Sequence, residues 1–188
     1  MTADEDGRTR CGWAVQSGDT LYRDYHDTEW GRPLRDSGAL FERISLEAFQ
    51  SGLSWLTILR KRENFRAAFD GFDANAVAKY TDDDVERLMA DAGIVRNRAK
   101  IVATIANAKA VTELDVDLGE LLWSFAPPGR PRPADLAQVP AVTPESTAMA
   151  KELKRRGFKF VGPTTAYALM QATGMVDDHV ATCWVPAQ

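Results

Sequence analysis

Gly157-Phe-Lys-Phe-Val-Gly162-Pro-Thr-Thr-Ala-Tyr-Ala-Leu-Met-Gln-Ala-Thr-Gly174-Met-Val-Asp-Asp-His179-Val-Ala-Thr-Cys183 reads as a helix end, a tight hairpin, a second helix, a turn and a further helix. Ahead of it, Thr143 is placed to cap a helix with Pro144 at its first position. That helix runs through Lys154-Arg155-Arg156 and stops at Gly157, whose missing Cβ suits a left-handed end. The second helix opens at Pro163-Thr164-Thr165 and ends at Gly174. Its first turn leaves backbone N–H groups without acceptors, and Gly162 puts no side chain in front of them. Such a terminus takes a phosphate without reading a base. Gly162, Thr164 and Thr165, with Lys159 of the hairpin, are therefore the candidate anion contacts.

Outward from this stretch, the pattern is helical throughout. Asp36 or Ser37 caps a helix with Leu40, Phe41, Ile44, Ala48 and Phe49 on its inner face, interrupted at Gly52. Ser54 caps the next, burying Trp55, Ile58, Leu59 and Phe69. Asp73 opens a short helix over 74–79. Thr81 with Asp84 makes a capping box for a helix ending at Gly93, and another helix spans about 97–113. The aromatic-rich segment 21–31 is too short and irregular to assign. Pro127-Pro-Gly-Arg-Pro-Arg-Pro133 breaks regular structure and reads as a surface loop. No run keeps strand period, so the fold class is all-α: a disordered head over 1–9 and a single helical unit over 10–188, with the helix-hairpin-helix at about 144–174.

The net charge of −4 gives no bulk attraction to nucleic acid, so any contact with it rests on local basic patches. Three exist, at Arg60-Lys61-Arg62, at Arg96 to Lys100 and at Lys151 to Lys159. The acidic start and the absence of a long apolar run point to a cytoplasmic protein, whose two cysteines are then reduced.

Those cysteines, Cys11 and Cys183, and the only histidines, His26 and His179, make up a Cys₂His₂ set from opposite ends of the chain. His179 and Cys183 are four apart and would share one face of a helix. Four protein ligands leave no vacancy for water, so zinc held there is structural. The spacing leaves open a Cys11–Cys183 disulfide, or thiols and imidazoles that are buried for unrelated reasons.

Several motifs occur in order: Arg10-Cys11-Gly12-Trp13, Tyr25-His26-Asp27-x-Glu29-Trp30-Gly31, Leu46-Glu47-x-x-Gln50-x-Gly52-Leu53-Ser54-Trp55, Lys61 to Phe65, Asp91-Ala-Gly93-Ile94, Trp123-Ser-Phe125 and Lys154 to Gly162. Together they resemble the 3-methyladenine DNA glycosylase I family over nearly the whole chain. The hairpin stretch itself resembles the helix-hairpin-helix of DNA repair glycosylases, except that Phe160 stands where many of these hairpins carry glycine.

The resemblance implies an enzyme that hydrolyses the N-glycosidic bond of 3-methyladenine in double-stranded DNA; a monomer is expected, since scanning for damage needs no symmetry. It implies one structural zinc on Cys11, His26, His179 and Cys183. It also implies that Trp55 stacks on the flipped base, that Trp13, Tyr22 and Tyr25 complete the walls, and that Glu47, the candidate catalytic residue, accepts a hydrogen bond from the base. Gly52-Leu53 would enter the gap the base leaves. Asp177 reads first as a helix cap, with stabilisation of the sugar cation as its other role, and Asp178 as an orienting partner for a zinc-bound histidine. Core packing is the expectation for Trp30. The alternatives are a non-catalytic zinc-stabilised DNA-binding module and a broader alkylpurine glycosylase.

Overall fold

The computed structural model describes residues 6–187, and among these it is helical with no strand. The helices are α1 (Gly12–Val15), α2 (Thr20–Thr28), α3 (Ser37–Gln50), α4 (Trp55–Ala68), α5 (Ala74–Val77), α6 (Asp82–Ala90), α7 (Arg98–Thr112), α8 (Leu118–Trp123), α9 (Pro144–Arg155) and α10 (Pro163–Ala172). Most begin where a side-chain oxygen meets an orphan N–H: Asp36 accepts from Ala39 N, Ser54 from Thr57 N, Asn97 from Lys100 N and Thr143 from Ser146 N. Asp36, not Ser37, caps α3. The short helix after Asp73 stops at Val77, before the expected Lys79. The unassigned aromatic segment folds as α2, capped by Asp19.

The fold is built round α3. Every residue from Arg43 to Phe49 is buried, and the helix packs on α4, α7, α8 and α10. A helix buried on all sides carries its polar residues into the interior, and α3 so buries Arg43 and Glu47. Phe49, Phe65, Phe69 and Phe72 form the aromatic heart beside it, with the Phe49 and Phe65 rings 4.7 Å apart. The far end of α3 is closed by Lys100, whose Nζ donates to Phe49 O at 2.8 Å and Ser51 O at 2.5 Å.

The α9–α10 hairpin follows the reading of its glycines, with Gly157 at φ 95°. Phe160 also takes positive φ, 56°, the conformation glycine would adopt most cheaply. The tip is pinned to α7: Asn107 Nδ2 donates to Lys159 O at 3.1 Å, and Lys159 N donates to Asn107 Oδ1 at 2.7 Å. At the end of α10, Gly174 (φ 73°) lies against the 31–33 backbone, where a Cβ would come within 2.7 Å of Arg32 C and Pro33 N.

Beyond Gly174 the expected helix is absent; residues 175–187 run as turns. Two of their backbone N–H groups bond to distant segments, while Cys183 N closes a local turn onto Val180 O. Ala181 N donates to Pro133 O at 2.8 Å, and Trp184 N to Thr9 O at 2.8 Å. His179 and Cys183 thus share no helix face, and Asp177 caps no helix. Its Oδ1 accepts from His179 N at 3.3 Å in a local turn. Of the head expected to be disordered, residues 1–5 lie outside the described residues. From Asp6 the chain lies against the C-terminal segment, with the Arg8 guanidinium 4.0 Å from the Trp184 ring centre.

Candidate active site and metal centre

The four ligand residues converge. Cys11 from the start of α1, His26 from α2, and His179 and Cys183 from the C-terminal turns place their ligand atoms within 4.8 Å of one another, all buried. Cys11 Sγ lies 3.6 Å from His179 Nδ1, Cys183 Sγ 3.5 Å from the same nitrogen and 3.5 Å from His26 Nε2. A tetrahedral zinc, with Zn–S about 2.3 Å and Zn–N about 2.0–2.1 Å, has S–N edges of about 3.5 Å. The donors therefore fit that ion in both chemistry and spacing. No disulfide joins the cysteines.

The outer nitrogen of each imidazole is held. His26 Nδ1 meets Asp27 Oδ1 at 2.8 Å, and His179 Nε2 meets Trp30 O at 3.1 Å. Asp27 is itself fixed by Arg10, whose Nε and Nη2 reach it at 3.0 and 2.8 Å, and by Trp184 Nε1 at 3.2 Å. Burial would raise the Asp27 carboxyl, but these donors hold it below the ordinary carboxylate range. Asp27 and Trp30 O, not Asp178, are the groups that meet the outer imidazole nitrogens. Asp27 was legible in principle, being the neighbour of His26 in the same motif.

Against this cluster lies a cavity of about 310 Å³, at the small end of ligand pockets. Trp13, Tyr22, Tyr25, Glu47 and Trp55 all line it. Trp13 joins the two sites: its ring is 4.9 Å from Tyr22 on the cavity side and 5.2 Å from His26 on the other. Trp30 packs against the core as expected, but is half-buried, lines the cavity as well and stands edge-on to His179 at 4.7 Å.

Glu47 is only 5% exposed, and none of the described residues donates a hydrogen bond to its carboxylate. Burial pushes it up to about 7, and the positive charge of Arg43 acts the other way. The Trp55 indole N–H is also buried without an acceptor.

Gln50, Leu136, Val139, Ala168, Gln171 and Asp178 also line the cavity, where the sequence placed none of them. Asp178 is fully engaged. It accepts from Tyr167 Oη at 2.5 Å, Gln171 Nε2 at 2.9 Å and Arg130 Nη2 at 2.7 Å. Arg130 belongs to the proline-rich segment, which thereby joins the site. Asp177 is turned to Arg132 Nε at 2.8 Å and does not line the cavity.

A second depression continues from the first, sharing Glu47, Gln50 and Ala168 and adding Gly52, Leu53, Thr164 and Thr165. Leu53 is 42% exposed, and Gly52 holds φ 81° at the break between α3 and α4. No side chain caps α10 at Gly162, and open space lies beside it. Lys159 is exposed on the same hairpin. The basic patches are otherwise largely paired: Arg62 with Glu29, Arg60 with Asp19, Arg98 with Glu86 and Arg156 with Asp115.

The profile of the methyladenine glycosylase family matches residues 13–186. DNA-3-methyladenine glycosylase 1 of Escherichia coli K12 is 50% identical over 179 residues, 93% of this chain and 95% of the relative. A crystal structure of a 3-methyladenine DNA glycosylase I superposes with a TM-score of 0.91 at 47% identity, covering 95% of this chain and all of that one. The Staphylococcus aureus 3-methyladenine DNA glycosylase I, solved for its recognition of 3-methyladenine, gives 0.89 at 36% identity, with 93% of this chain and 96% of that one covered. This chain belongs to the methyladenine glycosylase family.

Proposed function

We propose that this protein excises 3-methyladenine from double-stranded DNA by hydrolysing its N-glycosidic bond, releasing the free base and leaving an abasic site. The observation that carries the reading is Glu47, a buried carboxylate with no hydrogen-bond donor, in a small cavity walled by aromatic rings. A lone buried carboxylate is costly unless a partner arrives. A purine alkylated at N3 is cationic within the nucleotide, so it supplies both charge and a flat face for Trp13, Tyr22, Tyr25 and Trp55.

The base must first leave the duplex, at a cost of a few kcal/mol. Leu53, exposed beside the second depression, is the side chain that fills the gap, with Gly52 allowing the backbone to approach. The uncapped start of α10, with Gly162, Thr164 and Thr165, receives a phosphate, and Lys159 adds a charge. N3 alkylation makes the base depart neutral, so no general acid is needed. The protein flips, selects and positions, while water attacks the oxocarbenium-like sugar. Cys11, His26, His179 and Cys183 hold one zinc, which supplies structure and leaves no open position for a substrate. The protein acts as a cytoplasmic monomer, since one cavity and one hairpin face suffice.

The test is single-turnover release of bases from methylated duplex DNA, resolved by chromatography, for wild type and Glu47→Gln. Release of 3-methyladenine, slowed at least 100-fold in the variant, supports the reading. Release unaffected by the substitution discards Glu47, and no release from folded, zinc-loaded protein favours a binding module.

A further inference from the structure

Behind the cavity stands a cation that the reaction as outlined does not use. Arg43 lies on α3 one helical turn before Glu47, on the same face. Its side chain is 11% exposed. Nη1 donates to Tyr25 Oη at 2.8 Å, and Nη2 lies 3.5 Å from Glu29 Oε2. The guanidinium carbon is 5.4 Å from the centre of the Tyr25 ring and 5.6 Å from that of Trp55. One buried arginine thus touches or faces three members of the cavity: Tyr25, Trp55 and Glu47.

We propose that Arg43 is a positioning residue for the alkylated base, fixing the Tyr25 hydroxyl and keeping the Glu47 carboxylate charged. This rests on the role given to Glu47 above. Because Arg43 donates to the Tyr25 oxygen, the phenolic proton is left to point elsewhere, toward an acceptor on the base. Tyr22, Tyr25 and Glu29 stand on the α2 side, Arg62 on α4, Lys100 on α7, and Asp178 with Arg130 across the cavity. Glu29 is held by Arg62 at 2.6 Å, Asp178 by Arg130 at 2.7 Å, and Lys100 is turned onto the Phe49 and Ser51 carbonyls. Arg43, one turn away on the same helix face, is the cation among the described residues whose charge favours the ionised form of Glu47.

The base in the nucleotide carries a fixed positive charge, so excision requires Glu47 ionised and weakens as pH falls through its titration. Removing Arg43 moves that acid limb upward. The experiment is the pH profile of single-turnover 3-methyladenine release for wild type, Arg43→Gln, Arg43→Lys and Glu47→Gln, each checked for fold by circular dichroism. Arg43→Gln keeps a donor for Tyr25 but loses the charge; its limb is expected about one pH unit higher, costing about tenfold below the limb and little above it. Arg43→Lys keeps the limb in place. A limb unmoved in Arg43→Gln, or an equal loss at every pH, overturns the proposal. If Glu47→Gln still shows the wild-type rate and limb, the role of Glu47 itself fails, a separate outcome. Should Arg43→Gln not fold, Tyr25→Phe decides. It removes only the hydroxyl, so the rate falls and the limb stays, whereas a limb that moves overturns the proposal.

Discussion

The Cys₂His₂ cluster and the aromatic cavity share a wall, Trp13 and Trp30, yet are built on opposite terms. In the cluster every group is spoken for: the four ligand atoms lie within 4.8 Å of one another, both outer imidazole nitrogens are engaged, and Asp27 is held by Arg10, His26 and Trp184. In the cavity the carboxylate of Glu47, 5% exposed, accepts no hydrogen bond from the described residues, and the Trp55 indole N–H is buried with no acceptor. Satisfied polar networks rigidify a fold, while unsatisfied ones cost stability and persist where a ligand completes them. The difference separates the part of the molecule that holds its shape from the part proposed to take the substrate.

Breaking the satisfied side has the largest effect. Because the ligands join α1 and α2 to the C-terminal turns, zinc removal by a strong chelator is expected to cost several kcal/mol and lower Tm by about 10 °C or more. Calorimetry with and without chelator, and metal analysis of the untreated protein, check this; an unchanged melt would separate the cluster from stability. Asp27→Asn is milder: it keeps the ring contact and loses the charge. Zinc affinity falls about 10–100-fold, read by competition with a chromophoric chelator. If affinity is unchanged, the orienting role of Asp27 fails.

The hairpin gives the smallest effect. Phe160 is 47% exposed and left-handed, so Phe160→Gly relieves strain without opening the core. A gain of about 0.5–1 kcal/mol in urea unfolding is expected. A loss of similar size would show that the ring packs usefully despite its exposure.

Much of this contrast was legible in the sequence. Helix starts were readable because Asp36, Ser54, Thr81, Asn97 and Thr143 act through bonds three residues away. Cys11, His26, His179 and Cys183 could be grouped because nothing else in the chain offers those donors. The C-terminal turns could not be foreseen, because Ala181 and Trp184 bond to Pro133 and Thr9, far off in sequence. The same holds for Asp178. Its neighbour His179 suggested one role, whereas its real partners, Arg130, Tyr167 and Gln171, come from a loop and from a different helix. Arg43 was one helical turn from Glu47 and still silent, since periodicity marks a face but not the burial of a charge on it.

The most direct measurement is made on Glu47→Gln at two pH values, reading Tm and single-turnover base release on the same preparation. The folded-state pKa of Glu47, about 7, lies above its ordinary 4.5. Its burial therefore costs nothing below about pH 4.5; the cost builds up between about 4.5 and 7 and stands at its full value above about 7. At pH 8 the variant is expected to be more stable by about 2 kcal/mol, roughly 5 °C in Tm, while losing at least 100-fold in rate. At pH 5 the stability gain nearly vanishes. If stability and activity fall together at pH 8, Glu47 is a structural residue and the cavity was never held open for a charged base.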